Sequence, residues 1–268
     1  MSIDEELRSV ARGGLDAERS NAIGQKLLQE YSPVFVFHKQ ESYFPISIPE
    51  FVASGELRNV HGKAVDPEEW DGDKWINLRV IPSKDATHGN VKDAPVYGVV
   101  TRRKLYYLLQ YYVFYGMNGK YPCLCCCCCN IDQHYGDLEY INIKIGRSNG
   151  KILSVYFSQG KGGMKVDWAD IDRLDGTNHP IIYVAKYNHS MYPTPGKWYR
   201  TCGLKNDFTE QRQPGVNVWD PQVLPIDETT WWNQFVGDYG KVPSPFHSTS
   251  WRGGDETSTS FFRRFFCC

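Results

Sequence analysis

A mainly β (α+β) fold, an antiparallel β-sandwich-like single domain with an N-terminal helix and long C-terminal loops, is what this 268-residue sequence predicts. Three observations carry that expectation. From Lys104 onward, short runs of β-branched, aliphatic and aromatic residues recur between clusters of Gly, Asn, Asp and Pro. One such cluster, Arg147-Ser-Asn-Gly150, has the composition of a hairpin turn. Helix-like spacing, by contrast, is confined to residues 4–31, where Leu15, Ile23, Leu27, Leu28 and Tyr31 recur after the Gly13-Gly14 break.

In chain order, residues 1–30 form an N-terminal helical segment, 31–247 a β domain, and 248–268 a flexible tail. Pro33-Val-Phe-Val-Phe-His38 is a short strand. Ser47-Ile-Pro-Glu50 is a capping-box pattern with an early proline, which predicts a short helix ending by Gly55. Residues 56–95 are turn-rich and predict loops with one strand near Trp75–Ile81. Leu105–Tyr115 is apolar on both faces, as a central strand would be. Leu138–Ile145, Ile152–Gln159 and Ile181–His189 follow as strands, and Gly160-Lys-Gly-Gly163 reads as a turn rather than a phosphate loop, because no helix pattern follows it. Beyond Trp198 the chain predicts loops pinned by Trp219, Trp231, Trp232 and Trp251.

Composition narrows the function classes. Apolar residues at 41% and charged residues at 23% predict a globular chain, and a net charge of −1 argues against a nucleic-acid partner, whose affinity comes from Lys and Arg. The amino terminus has no basic-then-apolar leader, and the longest apolar stretch, Leu105–Met117, is shorter than the ~20 residues a membrane helix needs. Six of nine cysteines lie within Cys123–Cys129, a spacing unable to staple distant segments, so a reducing cytoplasmic setting is expected. There is no Gly-x-Ser-x-Gly elbow.

The residues with the clearest chemistry are His134-Tyr-Gly-Asp137-Leu-Glu139. Strand alternation places Asp137 and Glu139 on the face that also carries Ile141, Ile143 and Ile145. Burying carboxylates is costly unless they are paired or hold a cation. His134 precedes them, and His189 shares the parity of Ile181, Tyr183 and Ala185, so pairing of the two strands would bring it to the carboxylates. His134, Asp137, Glu139 and His189 are therefore candidate ligands of a divalent cation, Ca, Mg, Mn or Zn. Buried ion pairs or a solvated rim would explain the same residues.

Several segments together resemble one family. Tyr31-Ser-Pro-Val-Phe-Val-Phe-His38, Glu41, Tyr43-Phe-Pro45, Gly136-Asp-Leu-Glu139, Val155-Tyr-Phe-Ser-Gln-Gly160, His179-Pro-Ile-Ile-Tyr-Val-Ala185, Asn188-His-Ser-Met-Tyr-Pro193 and Trp219-Asp-Pro221 resemble, in order, vacuolar protein sorting-associated protein 62 domains. Leu138 stands where members usually carry Trp. The resemblance implies a β-sandwich-like domain, a link with protein delivery to the vacuole, and no established enzymatic activity. More distantly, the His-containing turn before Asp-x-Glu resembles the metal-binding motif of the necrosis- and ethylene-inducing-peptide-like proteins, which implies a cation at His134, Asp137 and Glu139.

Two cysteine-rich spots suggest attachment to a membrane. Cys123, Cys125, Cys126, Cys127, Cys128 and Cys129, with Cys267 and Cys268, are candidates for reversible acylation, and stable anchoring takes two signals. Cys123 and Cys126 also have C-x-x-C metal spacing. In the tail, Phe261, Phe262, Phe265 and Phe266 are candidates for insertion at an interface, with Arg263 and Arg264 facing anionic headgroups. The expected function is thus a cytoplasmic protein, peripheral on an endosomal or vacuolar membrane, that binds a protein cargo or sorting partner and holds a cation. The alternatives are a metal-dependent hydrolase with a cation-bound water, His189 being its catalytic candidate as proton shuttle, and a secreted cation-dependent cytolysin.

Overall fold

The computed structural model describes residues 17–59, 61–66, 78–123, 126–131, 133–160, 162–200, 205–226, 238–240 and 242–243. The opening helix, α1 (Ala17–Glu30), turns Ile23, Leu27 and Leu28 inward, and β1 (Val34–Val36) follows. In α2 (Ile48–Ala53) the Ser47 side chain caps the helix by accepting from Glu50 N at 3.2 Å, with Pro49 in the first turn. In the turn-rich region β3 (Arg79–Ile81) falls on the strand expected near Trp75–Ile81, β2 (Glu56–Arg58) is an additional strand, and β4 (Val96–Arg102) starts before the expected onset of β structure. These strands are short or carry Gly98 and exposed charged ends, so alternation in the sequence is weak there.

The centre of the fold is a long antiparallel ribbon. β5 (Tyr106–Asn118) pairs with β8 (His134–Gly146) along nearly their full lengths, from Tyr106 opposite Gly146 to Asn118 opposite His134. Between them lie β6 (Tyr121–Cys123) and β7 (Cys126–Ile131), which pair antiparallel apart from the main sheet and place Cys123 and Cys126–Cys129 in strands. β9 (Ile152–Gln159) and β10 (Gly162–Val166) complete that side, and the chain turns at 147–150 and at Gly160 as expected, with Gly150 and Gly160 in the left-handed region.

The remaining strands are β11 (Ile181–Val184), β12 (Met191–Tyr192), β13 (Gly196–Arg200), β14 (Lys205–Thr209), β15 (Val218–Trp219), β16 (Val223–Pro225), β17 (Asp238–Tyr239) and β18 (Val242–Pro243). The six-stranded sheet runs β10-β9-β8-β5-β4-β16 and faces a four-stranded sheet β12-β11-β1-β15. The arrangement is mainly antiparallel, with parallel pairs β1 with β11, β16 with β4 and β17 with β3. Those parallel contacts join segments far apart in sequence, which alternation alone cannot reveal.

Alternation along β5 feeds two cores. Tyr107, Leu109, Tyr111, Val113 and Tyr115 enter the layer between the sheets, with Phe35, Ile141, Ile143, Ile182 and Trp219. Tyr112 and Phe114 enter a second layer beneath α2 and β3, with Phe51, Val80 and Leu138. Trp219 packs against Phe35 in a tilted ring pair with centroids 5.2 Å apart, whereas Trp231, Trp232 and Trp251, with the predicted tail, lie outside the described residues. The opening residue of the predicted central strand is a correction: Leu105 is 73% exposed, because it lies in the turn before β5.

Candidate functional site

The start of β8 is shaped by Gly136, whose φ of 68° is a conformation that favours glycine. It lets the His134 ring fold back so that Nδ1 lies 2.7 Å from the Gly136 carbonyl. A carbonyl oxygen only accepts, so Nδ1 is the donor in that contact. Past the glycine, Asp137 and Glu139 enter the layer between the sheets, as alternation requires; Glu139 is buried and Asp137 is 13% exposed at its side chain.

His189 meets Asp137, but by a different route from the expected one. β11 ends at Val184 and belongs to the smaller sheet, so it does not pair with β8. A tight turn at Lys186–Asn188 delivers the imidazole instead, with Tyr187 at φ 73° and His189 at φ 54°. Each such non-glycine residue costs on the order of 1–3 kcal/mol, so the turn must be held from outside. Glu41 holds it, accepting from Tyr187 N at 2.7 Å as well as from Ser42 N and Tyr43 N, while Gly119 N donates to Tyr187 O at 2.8 Å.

The His189 ring is fully buried and engaged on every side. Nδ1 donates to Asp137 Oδ2 at 2.8 Å, Nε2 donates to the Tyr43 carbonyl at 3.1 Å, and one ring face stacks on Tyr115 at 3.7 Å. Two acceptors on two nitrogens require both to carry hydrogen, so this is an imidazolium. Burial opposes the charge, but the Asp137 hydrogen bond and the carboxylates of Glu41, Asp137 and Glu139 outweigh it and raise the pKa above the usual value. Glu139 accepts from the Ser158 hydroxyl and from Gly160 N at 2.9 Å. The centre therefore joins five segments, Glu41–Tyr43, Tyr115–Gly119, Asp137–Glu139, Ser158–Gly160 and Tyr187–His189, and it ties β8 to β9 through Ser158.

The structure thus brings Asp137, Glu139 and His189 together, with His134 beside them on β8. Among the described residues, no three His, Cys, Asp or Glu side chains are gathered as a metal-holding group. Glu41, Tyr43 and Tyr115 are part of the centre and were not singled out as site residues in the sequence. A lone Glu in a loop and a Tyr inside an apolar strand carry no local signal. The side chains of Cys123, Cys126, Cys127, Cys128 and Cys129 lie outside what the structure describes, as do Cys125, Phe261, Phe262, Arg263, Arg264, Phe265, Phe266, Cys267 and Cys268.

Comparison with curated proteins finds no match. Among solved structures, one described as "Toxin fold for microbial attack and plant defense" is 19% identical over 93% of this chain and 93% of that one, with a TM-score of 0.49. "NLPPya in complex with glucosamine" is 16% identical over 85% and 87%, with a TM-score of 0.48. Necrosis and Ethylene inducing Protein 2 from the causal agent of cocoa's Witches Broom disease is 13% identical over 88% and 91%, with a TM-score of 0.44. The family model described as vacuolar protein sorting-associated protein 62 matches residues 19–214, and the chain belongs to that family.

Proposed function

We propose that the protein works by binding at a membrane surface, in the delivery of a protein cargo, and that its buried histidine centre is structural rather than catalytic. The observation that carries the second half is the double engagement of His189: with both nitrogens donating and the ring fully buried, it offers no lone pair to a substrate, to a cation or to a cation-bound water. This argues against the hydrolase reading. The family's description, which concerns vacuolar protein sorting, supports the delivery role.

Membrane attachment rests on the cysteine run as a site of reversible acylation. Its neighbourhood supports this: β14 lies against β6, and the β13–β14 hairpin exposes Tyr199 at 74% and Phe208 at 44%, with Lys197 over both rings. Aromatic rings beside a lysine suit the headgroup layer of a bilayer. No helix among the described residues is long and apolar enough to cross a membrane. Fractionation of cells with and without hydroxylamine, which cleaves thioesters, tests the attachment: release by hydroxylamine is expected, and a protein that is never membrane-bound would sink the proposal.

A divalent cation is a second element of the reading. Three carboxylates facing one imidazolium leave surplus negative charge, and among the described residues the buried Tyr115 hydroxyl beside them has no hydrogen-bond partner. Oxygen donors suit a hard ion such as Ca²⁺ or Mg²⁺ better than Zn²⁺. Asp137 and Glu139 would hold it with water completing its shell, and it would supply charge neutralisation. Metal content of the purified protein should fall in Asp137→Asn and Glu139→Gln; equal content in all three removes the cation from the account.

A further inference from the structure

At the end of the β5–β8 ribbon remote from His189, two turns are fused into one tip. The chain passes from β4 to β5 through Arg103, Lys104 and Leu105, and from β8 to β9 through residues 147–151. Arg103 N donates to Tyr106 O at 2.9 Å and Arg147 N to Leu105 O at 3.0 Å, which locks the turns together. The Arg147 guanidinium donates to the carbonyls of Arg103 and Lys104 at 3.2 and 3.0 Å and lies over Tyr107. Arg147 is therefore a clasp, its charge turned inward.

The other cations are presented outward. Arg102, Arg103, Lys104 and Lys151 are exposed, and among the described residues none of them is paired with a carboxylate. No acidic residue occurs in 102–106 or 144–153. Within this field stand two large apolar side chains that the core does not take: Leu105 is 73% exposed and Leu153 52%. Both flank the Gly146–Arg147 corner, Leu105 through its carbonyl and Leu153 through Cδ2, which lies 3.5 Å from where a Gly146 Cβ would be.

We propose that this tip is a docking surface for an anionic lipid bilayer, with Leu105 and Leu153 entering the interface and Arg102, Arg103, Lys104 and Lys151 meeting acidic headgroups. Charge complementarity selects an anionic partner, and the leucines select a lipid one: a phosphate backbone or an acidic peptide would use the cations and leave both leucines in water. The overall charge of −1 conceals the patch, because its balancing carboxylates lie elsewhere. β5 is 13 residues long, so at ~3.3 Å per residue the tip lies about 40 Å from the other end of β5, which β6 follows in the chain. A molecule attached by its cysteines would present the tip away from the anchoring bilayer, towards an opposing one.

The test uses the full chain produced in bacteria, without acyl groups, sedimented with vesicles of phosphatidylcholine alone or containing phosphatidylserine. Binding only to the phosphatidylserine vesicles is expected, weakened roughly tenfold or more by the double charge reversal Arg102→Glu with Lys104→Glu. Leu105→Ser with Leu153→Ser should weaken it as well, although both side chains are exposed and the urea midpoint should not move. The proposal is overturned by equal binding to both vesicle types, by binding that survives the serine pair, or by displacement with a single-stranded RNA oligonucleotide in a manner indifferent to the leucines. Hydroxylamine-sensitive attachment in cells is measured separately, so either result can fail without the other.

Discussion

At one end of the β5–β8 ribbon, Asp137, Glu139 and His189 are packed between the sheets and each leans on a partner; at the other, Arg102, Arg103, Lys104 and Lys151 stand in solvent with no carboxylate partner among the described residues. The same strand pair carries both. Inside, an unpaired charge would cost several kcal/mol, so every charged group there is held by hydrogen bonds and the backbone bends to reach it. Outside, water removes that penalty, and an unpaired cation costs the fold little. Buried charge thus reports on how the fold is held, and exposed unpaired charge on what the fold meets.

The comparison breaks most directly at the buried end. His189→Ala should lower stability by about 3–5 kcal/mol, because it strands Asp137 and Glu139 without their cation. Urea denaturation reads this, and a loss within ~0.5 kcal/mol would mean that the centre is solvated like the tip. Next in size is ligand addition: if a cation is held, Ca²⁺ or Mg²⁺ at a hundred times its Kd should add ~2.7 kcal/mol, and Asp137→Asn should abolish the gain.

The pH dependence follows from the raised pKa of His189. The folded state holds the proton more tightly than the unfolded chain, whose imidazole titrates near ~6.5. The contribution is therefore complete below that pH and is lost as pH rises through the folded value. In chelator, the urea midpoint should fall as pH rises above ~6.5, and the slope should flatten in Asp137→Asn. Gly136→Ala forces a Cβ into the left-handed region and should cost about 1–2 kcal/mol, read by the same assay. The smallest effect belongs to the tip, where Leu105→Ser with Leu153→Ser should change stability by under ~0.5 kcal/mol while changing lipid binding.

Local sequence carried much of the fold. The double-sided apolar run of β5, the alternation of β8 that put Asp137 and Glu139 on the Ile141 face, the Ser47 cap and the Arg147–Gly150 turn all depend on near neighbours in the chain, and all appear in the structure. The carboxylates and His189 were singled out for the same reason. The short strands β2, β13, β14 and β16 have three to five residues, too few for a periodic signal.

What amino-acid order determined by itself was therefore the β character, the faces of the long strands and the identity of the acidic residues, because period and turn chemistry act over a few residues. The tertiary structure decided the rest. It brought Glu41, Tyr43 and Tyr115 to His189 from distant segments, it replaced a presumed strand pairing by a strained turn, and it used both imidazole nitrogens. It also separated Leu105 from the strand it precedes and set it beside Leu153 among cations. Such juxtapositions arise from pairings across tens of residues, and no local spacing encodes them.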